Sequence, residues 1–439
     1  MRVFAAHGVT IDMIIRPHAL RQSSTPSAGP SASSRASAST TAIKTIGILG
    51  GGQLGLMLSD SLADLGALVK VVEPSVDAPC TRRTAYVRQA SFHDEEALLE
   101  LFESCDRVTY EFEHLPTEPL RRVMEKTQTH HKLWPSLTVL ENSQNRIKEK
   151  RALAAAHAPV AQWVEIATPD ALSDQKSRWL AAGREGILKT ANGGYDGKGQ
   201  WRLSNETQWN ETLSLLTKTQ NAHLFPMVLE EKCELLMELS VIVGRHPTLG
   251  TLTFPVVENK HTHGILDTTY FPARLSFDVC EDARRIAERI ADNWDVFGLL
   301  TVEFFAIRKG EEIELLVNEV APRPHNSGHI TRRSMTRSQF DVLAQILLDL
   351  PFQTQHVAPE ETWAMWNTLG DLWHAGSPDW PSALIGHGSV CEAMLYGKPE
   401  VRPARKMGHV ILRAGSHAAI DKNIEFFRST FQSKKGERP

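Results

Sequence analysis

The sequence predicts an α/β protein of several units, and three observations carry that prediction. Near Thr45 an apolar run, a glycine turn and a helical pattern lead into a second apolar run. Two glycine-bearing hairpin patterns follow, around residues 186–204 and 299–321. A length of 439 residues allows roughly three domains of ordinary size. The expected architecture is a Rossmann-like parallel α/β domain over 44–141, a larger mixed domain with a glycine-rich lid over 142–350, and a small β-rich C-terminal domain over 351–439.

With 41% apolar and 23% charged residues, the chain reads as a globular enzyme or binding protein. A net charge of -4 provides no field for nucleic acid or an acidic membrane surface. No apolar run approaches the roughly 18 residues that cross a bilayer. Neither nucleic acid nor membrane is therefore an expected partner. The cysteines Cys80, Cys105, Cys233, Cys280 and Cys391 show no C-x-x-C spacing, which speaks against a zinc site or a disulfide framework and fits a reducing compartment.

Residues 1–43 differ from the rest. 'SSTPSAGPSASSRASASTTA' is low in complexity, and Asp12 is the one acid in the whole stretch. Such a segment buries too little apolar surface to fold, so a disordered extension is expected. It shares the Ser-rich, acid-poor makeup of a transit peptide. The expected location is cytoplasmic, or plastidic if the segment is a transit peptide.

Order begins at 'TIGILGGGQLGLMLSDSLADLG', a buried strand, a glycine turn and a helix with Leu54, Met57, Leu58, Leu62 and Leu65 at helical spacing. 'ALVKVVE' is the next strand. Gly50, Gly52 and Gly55 satisfy G-x-G-x-x-G, and Glu73 follows at the distance of a dinucleotide fingerprint. The same pattern also marks any tight strand-to-helix turn, so both readings stand at this point. The helix 'HDEEALLELFESC' and the strand 'RVTYEFEHLP' continue a parallel sheet, with Glu111 and Glu113 at the strand end where open α/β sheets place ligands.

After the helical, charged 'ENSQNRIKEKRALAAAH', the strands 'GILKT' and 'QWRLS' flank 'ANGGYDGKG'. Its glycines expose consecutive backbone N–H groups, and Lys189 and Lys198 add positive charge, which together suit an anion. Lys198 precedes Gly199 and a strand, which is not a Walker A pattern. A polyphosphate held under a lid is the expected ligand; a hairpin without ligand is the alternative. In 'LLTVEFFAIRKGEEIELLVNEVAPRPHNSGH' a second hairpin turns near Lys309-Gly310 and brings Glu303 and Glu319 within about two positions of each other, close enough to share one hard cation. Mg²⁺, which takes one or two carboxylates plus phosphate oxygens, is the expected metal, with Mn²⁺ as its substitute. Beyond it, Arg323, His325, Asn326 and Ser327 form a donor cluster suited to a small oxyanion.

This combination resembles the ATP-grasp superfamily. Within it, 'GGGQLGLML', 'TYEFEHLP', 'GGYDGKGQ', 'FPVVENKHTHGILDTT', 'NEVAPRPHNSGH' and 'RPARKMGHV', in that order, are similar to the N5-carboxyaminoimidazole ribonucleotide synthetases of purine synthesis. The resemblance implies an ATP-grasp fold and carboxylation of 5-aminoimidazole ribonucleotide with ATP and bicarbonate, by way of carboxyphosphate. It implies that ATP phosphates meet Arg146, Lys189 and the loop Gly194, Tyr195, Asp196, Gly197, Lys198, Gly199 and Gln200. Glu230, Glu231, Lys232 and Cys233 would form the adenine hinge, Glu238 would meet the ribose, and His261, Asn318 and Glu319 complete the nucleotide positions. Glu303 and Glu319 would hold Mg²⁺. The ribonucleotide would lie among Gln53, Leu54, Glu111, Asn326, Ser327, Lys398, Arg405 and Lys406, with Arg323, His325 and Lys406 around bicarbonate and the carboxylated product. Homodimerisation and a separate mutase downstream are further implications, since the chain is too short to carry a fused mutase.

Two stretches depart from the family pattern: 'APCTRRTAYV' (Ala78 to Val87) is more basic than expected, and His263 stands where Asp or Asn is expected. Two other functions compete. A formate-dependent glycinamide ribonucleotide transformylase has a similar scaffold but typically shows Asp-Thr in place of Asn326-Ser327; an amide suits a weakly basic aminoimidazole better than an acid does. A non-catalytic nucleotide sensor is disfavoured by the presence of every expected lysine, arginine and metal carboxylate.

Overall fold

The computed structural model describes residues 43–193, 199–358, 360–373, 384 and 387–433. The N-terminal extension and the lid residues Gly194, Tyr195, Asp196, Gly197 and Lys198 lie outside the described residues.

The first unit is a parallel sheet of β1 (Thr45–Leu49), β2 (Leu68–Val72), β3 (Tyr86–Arg88) and β4 (Arg107–Tyr110), in the order β3-β2-β1-β4. Ile46, Ile48, Val71 and Val108 are buried, as the apolar runs require of a sheet covered on both faces. Helix Glu95–Ser104 starts where Asp94 accepts the backbone N–H groups of Glu96 and Ala97, a cap that the 'HDEE' sequence supplies. β4 ends at Tyr110, so Glu111 and Glu113 emerge beyond the strand rather than within it.

The lid is an antiparallel sheet of β5 (Trp163–Ile166), β6 (Gly186–Thr190), β7 (Gln200–Leu203) and β8 (Met227–Glu231), ordered β5-β8-β6-β7. Helices Pro169–Ala181 and Glu206–Leu216 contribute Trp179 and Trp209 to a core closed by Leu188, Leu203 and Leu229.

The largest sheet holds β9 (Leu235–His246), β10 (Gly250–Thr253), β11 (Val257–Thr262), β12 (Ile265–Phe271), β13 (Gly298–Lys309), β14 (Glu312–Ala321), β15 (Thr362–Leu369), β16 (Val390–Leu395) and β17 (Lys406–Ala414). Its order is β14-β13-β9-β11-β12-β15-β17-β16, with β10 on β9. The C-terminal strands do not form a sheet of their own. β15 pairs with β12, Thr268 opposite Trp366, so the C-terminal region prolongs the central sheet, and helix His417–Ser433 covers it through Ile420, Ile424 and Phe427. The expected boundary at residue 351 therefore separates segments of sequence that share one sheet.

The departure at His263 has a backbone cause. His263 and Gly264 form the two-residue turn between β11 and β12 with φ of +53° and +78°. Asn, Asp and Gly tolerate that left-handed region best, so the residue types expected there were expected for conformation, not chemistry.

The first unit is fastened to the central sheet at Asp349. Its carboxylate accepts from Lys44 at 2.5 Å, Arg107 at 2.6 Å and His246 Nε2 at 2.9 Å. The Arg107 guanidinium also lies 3.6 Å over the Trp134 ring. Burial pushes the Asp349 carboxyl up, but the hydrogen bonds from Lys44, His246 and Arg107 and the Arg107 charge outweigh it and hold the group well below its usual range.

Candidate active site

The lid and the helix before it each contribute one lysine to a pair. Lys189 on β6 and Lys150 on helix Arg146–Ala155 approach the carboxylate of Glu230 on β8 at 2.7 Å and 3.4 Å, and all three residues are buried. Burial pushes Glu230 up, but the two lysines outweigh it and hold the group at about 2. Lys150 also donates to the Asn318 carbonyl at 3.2 Å. The Glu230 side chain is thus a strut for two cations, and the N–H groups of Glu231, at the end of β8, and Lys232 donate to the carbonyls of Gln162 and Glu185 at 2.8 Å and 2.9 Å. Lys232 is ion-paired with Glu185.

Glu303 and Glu319 are direct cross-strand partners on β13 and β14, closer in register than the sequence suggested, with a bulge immediately after Glu303. His325 Nδ1 accepts the Ser327 backbone N–H at 3.3 Å, which leaves Nε2 as the donor to Glu303 at 2.9 Å. Burial pushes Glu303 up, yet the hydrogen bond from His325, with His261 and Lys406 nearby, brings it below the ordinary carboxylate range. Arg146 reaches Glu319 at 3.3 Å. Beside this pair the side-chain carbonyl Oδ1 of Asn318 is buried without a partner among the described residues. Two facing carboxylates and a leftover acceptor suit a hard cation and a nucleotide, so the residues present fit the expected Mg²⁺.

Glu238 and His261 form a second pair, Oε2 to Nδ1 at 2.6 Å; burial lowers the imidazole pKa, but Glu238 outweighs it and raises it. Glu149, next to Lys150, accepts the Val320 backbone N–H at 2.8 Å, and burial pushes its carboxyl up to about 8.

The oxyanion cluster is held from behind. Arg323 forms a two-point ion pair with Glu113, which keeps that carboxyl at about 2 despite burial. Ser327 is fully buried and bonds His325 Nδ1 at 2.8 Å and Ser240 at 2.7 Å, while Asn259 donates to Ser240 at 3.0 Å. Asn326 and Asn367 exchange side-chain hydrogen bonds at 3.1 Å and 2.5 Å. Gln339 accepts the His325 N–H at 2.9 Å and donates to its carbonyl at 2.7 Å. Ser327 therefore orients His325, and Asn326 is partnered from the C-terminal strand β15.

At the other end, the glycine turn is already filled. Glu111 accepts the backbone N–H groups of Gly52 and Gly55, and Glu73 accepts that of Gly51 at 2.7 Å. A Cβ at Gly50 or Gly52 would overlap Glu111. The donors a dinucleotide pyrophosphate needs are taken by carboxylates of the same chain, so the turn serves close packing and the dinucleotide reading is not supported. Gln53 is half-buried and Leu54 buried at the start of the helix Gln53–Asp64. Lys398 donates to the Lys406 carbonyl at 3.0 Å, and burial, Arg405 and Lys406 bring its amine down to about 8. Arg405 donates to the Glu400 carbonyl at 2.7 Å. The charge of Lys406 reaches both His261 and Glu303. From the lid, the described residues include Lys189, Gly199 and Gln200.

The sequence reading missed Lys150, Glu149, Gln339, Asn367 and Ser240, and placed Glu113 at a ligand-facing strand end without pairing it with Arg323. Lys150 and Glu149 sit in 'RIKEKRA', where alternating charge looks like a solvated helix face; only their burial sets them apart.

The paired sheets with a lysine-bearing lid and a carboxylate pair on the central sheet define an ATP-grasp enzyme. Family models match accordingly: the ribonucleotide synthetase preATP-grasp domain over residues 43–144, the ATP-grasp domain over 151–340 and the phosphoribosylaminoimidazole carboxylase C-terminal domain over 364–423. The N5-carboxyaminoimidazole ribonucleotide synthase of Bacillus subtilis is 37% identical over 368 residues, 83% of this chain and 90% of that protein. That of Brucella melitensis is 36% identical over 372 residues, 83% of this chain and 95% of that protein. Among solved structures, the Aspergillus clavatus enzyme in complex with ADP and 5-aminoimidazole ribonucleotide superposes with a TM-score of 0.76 at 28% identity, covering 89% of this chain and 99% of that one. The chain belongs to the N5-carboxyaminoimidazole ribonucleotide synthase family of carbon–nitrogen ligases.

Proposed function

We propose that this chain carboxylates the exocyclic amine of 5-aminoimidazole ribonucleotide, using ATP and bicarbonate, in purine biosynthesis. The observation that carries the reading is the position of Glu303, which faces Glu319 on one side and accepts from His325 on the other. The nucleotide end of the site and the oxyanion end thus share a residue, as transfer of a phosphoryl group to bicarbonate requires. ATP and 5-aminoimidazole ribonucleotide are the ligands of the Aspergillus clavatus relatives.

Bicarbonate is a poor electrophile, and phosphorylation turns one of its oxygens into a leaving group. In this scheme Lys189 and Lys150, pre-oriented by Glu230, neutralise charge on the transferring phosphate. Mg²⁺ on Glu303 and Glu319 would supply further neutralisation there. Arg323, fixed by Glu113, and His325, fixed by Ser327 and Gln339, receive bicarbonate. Lys398, Arg405 and Lys406 hold the ribonucleotide so that its amine attacks the activated carbon, giving the N5-carbamate, ADP and phosphate. The lid excludes water from the carboxyphosphate while both steps proceed. A separate mutase acting on the carbamate, and homodimerisation, are carried over from the family resemblance.

Bicarbonate labelled with ¹⁸O tests the scheme, because the P–O bond made in the first step survives the C–O cleavage of the second. Label should appear in phosphate in proportion to carbamate formed, read before bicarbonate exchanges oxygen with water. Unlabelled phosphate with normal carbamate formation would rule carboxyphosphate out.

A further inference from the structure

The basic departure at Ala78 to Val87 is not absorbed by the scheme above, and it ends beside the ribonucleotide residues. It folds as a short 3₁₀ turn, Pro79–Arg82, pinned to the glycine turn where the Cys80 N–H donates to the Gly51 carbonyl at 2.8 Å. Cys80 itself is fully buried, so the position of the turn is set by packing. Its two arginines diverge. Arg83 pairs with Asp60 on the helix Gln53–Asp64 at 3.1 Å. Arg82 crosses to the C-terminal region, where its Nη1 lies against Gly397, so close that a Cβ at Gly397 would overlap it. Gly397 has a φ of +70° and immediately precedes Lys398. Among the described residues Arg82 has no hydrogen bond or ion pair, and it is exposed.

Three further cations stand at this place: Lys398, Arg405 and Lys406, with the Lys398 amine bonded to the Lys406 carbonyl. The acids nearby include Glu400, which pairs with Arg402 and lies 3.7 Å from Arg405, Glu111, whose oxygens are engaged by Gly52 and Gly55, and Glu303, which the charge of Lys406 reaches. Burial and neighbouring cations weaken the hold of Lys398 on its proton. Arg82, Lys398 and Arg405, cationic side chains from two ends of the chain, are arranged for a dianion supplied from outside.

We propose that Arg82 is a specificity residue for the 5′-phosphate of the ribonucleotide, reaching over Gly397 from the N-terminal unit to complete a phosphate site with Lys398 and Arg405. This rests on the ribonucleotide carboxylation proposed above. It makes phosphate recognition a contact between the first unit and the C-terminal strands, so the phosphate of the substrate clips the two together. The φ of +70° favours glycine at 397, and the missing Cβ leaves room for the end of the Arg82 side chain.

Arg82→Ala tests this. KM for 5-aminoimidazole ribonucleotide should rise about 10- to 100-fold, as expected for losing a charged hydrogen bond to phosphate, with KM for ATP unmoved. Arg82→Lys should recover part of the loss. With the dephosphorylated nucleoside as substrate, Arg82→Ala and the unaltered protein should differ by less than twofold. Gly397→Ala, which displaces the guanidinium without removing it, should raise the same KM. A ribonucleotide KM within twofold of the unaltered protein, or an equal penalty on nucleoside and nucleotide, would overturn the proposal. Thermal protection by ribose 5-phosphate gives a readout independent of turnover: the unaltered protein should be protected and Arg82→Ala much less. If the unaltered protein fails to carboxylate the ribonucleotide, the proposed reaction falls, while this protection comparison still decides the role of Arg82; equal protection of both proteins counts against it.

Discussion

Glu319 stands directly opposite Glu303 across the β13–β14 ladder, with Arg146 at 3.3 Å from Glu319 and His325 at 2.9 Å from Glu303. Each carboxylate has one cationic or hydrogen-bonding neighbour and retains oxygens for a metal.

Glu319→Gln keeps that shape and removes one hard anionic ligand. Turnover should fall by about 100-fold or more at saturating Mg²⁺, with the melting temperature close to that of the unaltered protein. ADP release and a melting curve measured together check this; a rate within threefold of normal would remove Glu319 from the metal site.

Glu230→Gln acts on the lysine pair. Two buried ammonium groups would lose their counter-charge, which costs roughly 3–5 kcal/mol when a buried pair is broken. Denaturant unfolding should show that loss at neutral pH, and adding Lys150→Met should return part of it. The sign of the pH dependence follows from Glu230 being held at about 2, below its unfolded value of 4.5. The pair stabilises fully above the unfolded value, and the contribution fades as pH falls towards the folded one. The deficit of Glu230→Gln should therefore shrink on acidification.

Glu149 has the opposite sign. Its carboxyl is pushed from 4.5 up to about 8 in the folded protein. The folded state holds that proton more tightly than the unfolded state, so its contribution is complete below 4.5 and is lost as pH rises through about 8. Glu149→Gln, which can still accept the Val320 N–H, should flatten this part of the profile. Melting temperatures of the variant should gain on those of the unaltered protein between pH 5 and 8, by roughly these ordinary and shifted values. A constant difference across that range would show that Glu149 is ionised throughout.

Much of this protein was legible in the sequence because the signals are local. The glycine turn at Gly50–Gly55, the Asp94 cap and the turn at Lys309-Gly310 each depend on residues a few positions apart. A hairpin fixes its own register, so the approach of Glu303 and Glu319 could be read from the chain, to within the bulge that brings them directly opposite. The same holds for the donor cluster Arg323, His325, Asn326 and Ser327, which is contiguous. Tertiary packing decided what those groups do. Glu111 reads as a ligand carboxylate at a strand end and is found holding Gly52 and Gly55. Glu230 reads as part of a hinge and is found between Lys189 and Lys150. Asn367 carries no signal in its own stretch and gains its meaning from Asn326, while the basic stretch around Arg82 stands out in the sequence but shows its direction only against Gly397. The C-terminal strands join the central sheet because β15 finds an open edge at β12, a pairing across about a hundred residues. Periodicity and turn chemistry report only on neighbours along the chain, whereas the charge state and purpose of a buried side chain are set by whatever the fold brings against it.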